Sequence, residues 1–328
     1  MKSMTIPRAE TWDDLQEAHP TPGDPSLSSA SPRTPSLAHS HNEHNITSLT
    51  GLHNYSTELE LRRTLQELLA VLSTPTYHCR KLIIMGGLYC DRKPDGEKYV
   101  CHDPGLAPPD EYCLVYSVGV GHDLSFDLQM DRFGCEVFAF DSDFYHRHYP
   151  TFIGSRLTFY KVRMGTYFLK ELQYQGDDKA AEPYLVEYWP LPAIMARLGH
   201  MHHQLHYLKL DIEGAEWDVL EETVFKTDIL EGTQQLSIEV HLEDLRQGKA
   251  SSQDHHSLLA SAAKYLRILR GLQARGFHLA YWEPNYRGSE LTTQAGLMFH
   301  VFSETLWVNP GYHKRRNWPV KGKMPEKL

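Results

Sequence analysis

The chain has 328 residues, 41% hydrophobic, 23% charged and 11% aromatic. This ordinary globular composition excludes collagen, a coiled coil and a wholly disordered chain, and the length allows up to two domains with full cores. Lys plus Arg (33) against Asp plus Glu (42) leaves a net charge of −9. A chain this acidic is a poor partner for nucleic acid phosphates. Its 20 His are scattered rather than set in a tract.

No stretch approaches the ~18–20 apolar residues that a bilayer span needs, so no membrane span is expected. Met1 to Glu10 holds no apolar signal core, and as written the chain reads as soluble and intracellular. The first fifty residues carry six Pro and eight Ser. Such a segment buries too little to offset chain entropy, which predicts disorder over residues 1–56. Asn45-Ile-Thr47 and Asn54-Tyr-Ser56 fit the glycosylation sequon, which matters only if the chain enters the secretory pathway.

Order is predicted from Thr57. Leu59, Leu61, Leu65, Leu68, Leu69 and Leu72 recur at helical spacing, and Ser73-Thr-Pro75 ends the run. Cys79, Cys90 and Cys101 follow, with an Asp95-Gly96 turn between the last two. Their spacing does not match zinc ligands. Two readings stay open: free thiols in a reducing compartment, or a Cys90–Cys101 bridge in an oxidising one. Residues 57–110 are thus a helical, cysteine-bearing lead-in.

From residue 111 to 310 strands alternate with helices. Leu114–Val118, Glu136–Phe140, Leu157–Val162, Leu205–Leu210, Gln235–Val240, Phe277–Trp282 and Gly296–Val308 read as strands. Leu124–Phe133, Ala215–Phe225 and His256–Arg275 read as helices. This alternation argues for an α/β fold, a doubly wound and mostly parallel sheet with helices on both faces. Residues 311–328, with His313-Lys-Arg-Arg316, read as a solvated basic tail.

Three strand ends carry chemistry. The first leads into Gly119-Val-Gly121 and then a helix, an arrangement that lets a ligand approach the backbone and the helix start. Asp141 closes the next strand, where an acid can accept ribose hydroxyls. A dinucleotide fingerprint would need glycine where Leu124 stands, which weakens a nicotinamide dehydrogenase reading. The second strand end is Asp211-Ile-Glu213-Gly-Ala-Glu216. Glu213 could orient an acceptor or an amine; Asp211 and Glu216 could do the same or charge the helix start. The third is Glu239-Val-His241, whose alternation puts both side chains on one face. His241 could take a proton from an acceptor hydroxyl. A metal held by Asp211, Glu213, Glu239 and His241 is conceivable, but nothing in the sequence fixes its geometry, and none is assigned.

Val115-Tyr-Ser-Val-Gly119-Val-Gly-His-Asp-Leu-Ser-Phe126, Phe138-Ala-Phe-Asp141 and Leu208-Lys-Leu-Asp211-Ile-Glu-Gly-Ala-Glu216 together resemble the methyltransferase-like protein 24 family. The Cys90 to Cys113 lead-in resembles it too, and the last motif is also similar to the wider FkbM-type methyltransferases. The resemblance covers about residues 75–308. It implies a class I, seven-stranded Rossmann-like fold with S-adenosylmethionine as methyl donor. By motif position Gly119 and Gly121 match the glycine loop and Asp141 the ribose acid, while Ser117 stands where the family's usual acid precedes the glycines, and Asp123 replaces a third glycine. The donor set is then Ser117, Gly119, Gly121, Asp141 and Asp211, and Glu213, Glu239 and His241 are the catalytic candidates. The resemblance also implies a secretory route, in keeping with the sequons and clustered cysteines, so both locations stay open. Two functions follow: methyl transfer to an oxygen or nitrogen nucleophile on a small molecule, glycan or protein, or a catalytically inactive binder with the same fold.

Overall fold

Runs that are apolar at every position become strands buried on both faces. The computed structural model describes residues 43–90, 93–108, 112–142, 151–173, 183–246, 255–285, 290–292 and 298–312. Expectations for residues 1–42 and for the basic tail from residue 313 lie outside them. Helix α1 (Glu43–Ser73) precedes β1 (Leu82–Met85), β2 (Leu88–Cys90), β3 (Lys93–Asp95) and β4 (Lys98–Cys101). Then come β5 (Leu114–Val118), α2 (Ser125–Phe133), β6 (Glu136–Phe140), β7 (Thr151–Phe152), β8 (Leu157–Tyr160), β9 (Arg163–Met164), β10 (Leu169–Gln173) and β11 (Tyr184–Trp189). The rest is α3 (Leu191–Arg197), β12 (Leu205–Leu210), α4 (Glu216–Glu222), β13 (Thr233–His241), α5 (His255–Ala274), β14 (His278–Pro284), β15 (Glu290–Thr292), β16 (Met298–His300) and β17 (Phe302–Val308).

The main sheet runs β14-β17-β13-β12-β5-β6-β8-β7. Strands β5, β6, β8, β12 and β13 are mutually parallel, and β17 lies antiparallel between β13 and β14. Seven strands form the mostly parallel, doubly wound sheet, with two-residue β7 added at one edge. From β5 the chain goes outward to β6 and β8, then returns to β12 on the other side. That reversal opens a crevice beyond the carboxyl ends of β5 and β12.

Alternation along the strands builds two cores. Leu114, Tyr116 and Val118 point to the side covered by α1, α3, α4 and α5, while Val115 points to α2 and the lead-in. Leu61, Leu65, Leu68 and Leu72 are buried on α1, but Leu59 is half exposed. At about 100° per residue Leu59 stands roughly opposite Leu61, so it belongs to the solvent side of the helix. The helix also starts earlier than Thr57, at Glu43; side chains around both sequons are outside the described residues. Residues Ser48–Leu328 form one compact unit.

The lead-in differs from expectation in its pairing. Strand β1 pairs antiparallel with β4, placing Leu82 opposite Cys101. The chain just before β1 therefore runs beside Cys101, and the bridge is Cys79–Cys101, not Cys90–Cys101. Cys90 ends β2 opposite Lys93 in a separate hairpin. A second bridge joins Cys113 to Cys135. Each of these precedes a strand by one residue, and β5 and β6 run in parallel register from Leu114↔Glu136. The stretch expected as one strand over Gly296–Val308 is two, β16 and β17. Strands β10 and β11 join β9 in a small three-stranded sheet.

Peptide mapping without reduction should link Cys79 to Cys101 and Cys113 to Cys135. Each bridge spans 22 residues. Replacing Cys113 and Cys135 together by Ala should lower stability by about 2–4 kcal/mol, read as a lower denaturant midpoint with the far-ultraviolet dichroism retained.

Candidate active site

The strand ends meet at the switch point. Gly119 has φ +74°, and a Cβ there would lie 1.6 Å from the Asp211 carbonyl oxygen, so no other residue fits. Gly121 has φ +54° with open space around it. Its N–H donates to Asp141 Oδ2 at 2.8 Å, tying the glycine loop to the end of β6. Above the loop is a cavity of about 880 Å³. Gly119, Gly121, Asp141, Asp211, Glu213, Glu239 and His241 all line it. Ser117 does not: it is buried beneath, on the face turned to α2.

The lead-in forms part of the wall. Leu88 and Gly96 line the cavity, and a Cβ on Gly96 would meet Asp123 Oδ2 at 2.6 Å. Gly87 N–H donates to Ser125 Oγ at 2.7 Å, and Gly86 N–H to Gln129 Oε1 at 3.0 Å. These bonds fix the hairpin onto the start of α2.

At the cavity floor the sheet face turned to the lead-in changes from apolar to charged. Glu239 and Glu304 are cross-strand partners on β13 and β17, a like-charge pairing that is unfavourable alone. Lys98 of β4 resolves it. Its buried ammonium binds Glu304 and lies 3.4 Å from Asp211 Oδ2 and 3.9 Å from Glu239 Oε2. Burial opposes the charged form, but Glu304, Asp211 and Glu239 hold the Lys98 pKa well above its usual value. Lys209 donates to the Gly119 carbonyl and lies 3.2 Å from Asp211 Oδ2. Burial would raise Asp211, yet Lys209 and Lys98 hold it below the usual carboxylate range. Glu239 goes the other way: burial, then the Asp211 and Glu304 carboxylates, push it up to about 8. It is therefore mostly protonated at neutral pH, and Asn285 Nδ2 donates to its Oε1 at 2.9 Å.

His241 is held by Glu216. The buried Glu216 carboxylate accepts from Gly214 N–H at 2.9 Å and His241 N–H at 2.9 Å, and lies 3.1 Å from His241 Nδ1. Trp217 Nε1 donates to the His241 carbonyl at 2.7 Å. Burial would lower the imidazole pKa, but Glu216 and then Glu239 and Asp211 push it up to about 9. Glu216 thus positions His241 rather than only charging a helix start. Glu213 sits at the rim, largely exposed, with Oε2 3.6 Å from His241 Nε2. Its φ of +54° makes it the only non-glycine in the left-handed region among the described residues, a strained backbone of the sort found at functional turns.

Candidate ligand atoms of Asp211, Glu239 and His241 lie within 4.8 Å of one another. The ammonium groups of Lys98 and Lys209 already neutralise that cluster, so it reads as an ion-pair network. Sequence reasoning missed Lys98, Lys209, Glu304 and Asp127. For Lys209 the signal was present: a lysine inside the fully buried strand Leu205–Leu210 is rare without a partner.

Lys98→Met should destabilise the protein by about 3–5 kcal/mol, because it leaves buried carboxylates uncompensated. Glu239→Gln, which replaces a mostly neutral acid by a neutral amide, should cost under about 1 kcal/mol. Equilibrium urea denaturation near pH 7 compares the two.

Comparison with known proteins places this architecture. Residues 63–273 match the family model described as a methyltransferase domain. Over 131 residues the chain is 32% identical to the rat (Rattus norvegicus) protein named Probable methyltransferase-like protein 24, covering 40% of this chain and 33% of that one. Over 140 residues it is 30% identical to the human (Homo sapiens) protein of the same name, covering 40% and 34%. The matched segment thus spans about a third of the length of these curated relatives. The family model covers more than half of the chain, and its strand order is the doubly wound one described above: the chain belongs to the methyltransferase-domain family.

Proposed function

We propose that the domain is an S-adenosylmethionine-dependent methyltransferase acting on an oxygen or nitrogen nucleophile. The carrying observation is the Gly119–Gly121 loop at the switch point, held to Asp141 and opening on a cavity of about 880 Å³. The residues present fit the donor: a close-approach glycine loop, an acid at the end of β6, and a carboxylate oxygen of Asp127 without a hydrogen-bond partner beside the loop. When bound, the donor supplies a sulfonium-activated methyl group for in-line displacement. The chain's own task is alignment and, for a hydroxyl acceptor, removal of a proton. Asp141 accepts the ribose hydroxyls, and the glycine loop admits the donor's backbone-facing edge. His241, with Nδ1 turned to Glu216, presents Nε2 as the base, and Glu213 at the rim orients the acceptor. Glu239, protonated near neutral pH, acts as a hydrogen-bond donor rather than as a base. Asp211, fixed by Lys209 and Lys98, keeps the cavity floor in register.

The acceptor class is a small molecule, glycan or protein; the acidic chain makes nucleic acid the least favoured. No helix among the described residues is long and apolar enough to cross a membrane. The two disulfides and the sequons support an oxidising, secretory setting. Ser117, in place of a strand-end acid, supports the second reading, a fold that binds without turnover.

Isothermal calorimetry should show S-adenosylmethionine binding, and Asp141→Ala should weaken it about tenfold with the fold intact. No heat at millimolar donor would sink the proposal. For turnover, kcat/KM against a hydroxyl acceptor should rise with pH to a plateau above about pH 9, because His241 must lose its proton first. Glu216→Gln removes the group that raises this pKa, so the rising limb should move to lower pH and the plateau should fall. An unmoved limb would remove His241 from the base role.

A further inference from the structure

Beneath the glycine loop is the Asp127 carboxylate, which fits the donor site but has no assigned contact with a particular part of the donor. Asp127 lies in the first turn of α2, lines the cavity and is 1% exposed. Its Oδ1 is buried and meets no partner at hydrogen-bond geometry, and neither does the hydroxyl of Ser117 beside it on β5. Burial raises Asp127 to about 6, opposed mainly by the Lys209 ammonium and steadied by the nearby Ser117 hydroxyl. The group is therefore ionised at neutral pH. The Lys209 ammonium acts on it through its charge, with its hydrogen bond and ion pair going to the Gly119 carbonyl and Asp211. An ionised, buried carboxylate oxygen with no donor is costly unless a ligand supplies one. The start of α2 favours negative charge there, and the cavity is the open side.

The geometry points to Asp127 as the anchor for the primary ammonium of the donor's aminoacyl arm. Ser117 and Asp127 are complementary in this respect. Their side chains are close neighbours, and a second acid at position 117 would set two carboxylates together. A small hydroxyl on the strand leaves room for the acid on the helix. Among candidate ligand groups, a primary ammonium brings both the positive charge and the N–H donors that Oδ1 lacks.

This inference rests on the donor reading above, and one experiment separates the two. Calorimetry would compare S-adenosylmethionine with 5′-methylthioadenosine, which keeps the nucleoside and lacks the aminoacyl arm. Asp127→Asn keeps the side-chain shape and removes the charge. It should weaken S-adenosylmethionine at least tenfold and leave 5′-methylthioadenosine within twofold. Asp127→Ser, with the smaller side chain, should show the same selectivity should the amide repack. Equal losses for both ligands, or no loss for either, would overturn the assignment while leaving the donor reading standing. Wild-type protein that binds neither ligand would overturn both.

Discussion

The site depends on one buried ammonium. Three carboxylates, on Asp211, Glu239 and Glu304, converge where β12 and β13 end and β17 begins, and Lys98 reaches into them from outside the main sheet. Without a cation there, the cross-strand Glu239–Glu304 pair would repel in a poorly solvated place. Burial makes this cluster sensitive: the same surroundings that strengthen its attractions penalise any unpaired member. Asp211 and Glu239 divide the consequences, one driven toward the charged form and the other toward the neutral acid. Which of two adjacent carboxyls carries charge is thus set by the position of two lysines.

Lys98 also explains why the lead-in cannot be treated as an appendage. Strand β4 carries Lys98 at one end and Cys101 at the other, and the Cys79–Cys101 bridge holds it next to β1. Gln235 of β13 clamps Cys101 from the sheet side, accepting from its N–H at 2.8 Å and donating to its carbonyl at 2.9 Å. On the cavity side, the turn before β4 packs Gly96 on Asp123, and the turn after β1 packs Gly86 on the start of α2. A disulfide, a side-chain amide clamp and two glycine contacts therefore all act to place one ammonium. The methyltransferase-type sheet supplies the carboxylates, and the lead-in supplies their counter-charge.

Much of this architecture could be read along the chain. Leu114–Val118, Glu136–Phe140 and Leu205–Leu210 are found with the bounds that their apolar runs suggest, because strands buried on both faces leave no ambiguity of face. The glycine loop and Asp141 were legible because a strand, a close-approach turn and a strand-end acid are local patterns. The lead-in was not. Its strands are three or four residues long, too short for period to register, and pairing of β1 with β4 is a long-range choice. The disulfide error follows from that: nearest spacing suggested Cys90, while sheet pairing selected Cys79. Lys98 and Glu304 were invisible for a related reason. Each is an ordinary charged residue in its own segment, and only tertiary contact makes it unusual.

Two buried acids show how structural and functional burial can be told apart. Glu216 is fully buried and fully engaged, with Gly214 N–H, His241 N–H and the His241 ring about it. Its desolvation is offset within the protein, and what it does is hold His241 in place. Asp127 is buried to a similar degree, but one oxygen has no donor, its hydroxyl neighbour is unsatisfied too, and both stand beside the glycine loop. A folding sequence has simple remedies for such a defect, since Asn or Leu at position 127 would remove the charge. Retaining the acid carries a burial cost that Lys209 and the start of α2 offset in part. Its unpartnered oxygen lies beside the cavity, where the proposed ligand ammonium would meet it. The same reasoning leaves Glu239 in a third category: its burial is tolerated because it gives up its charge, so it can donate a proton to a hydrogen bond where Asp127 can only accept one.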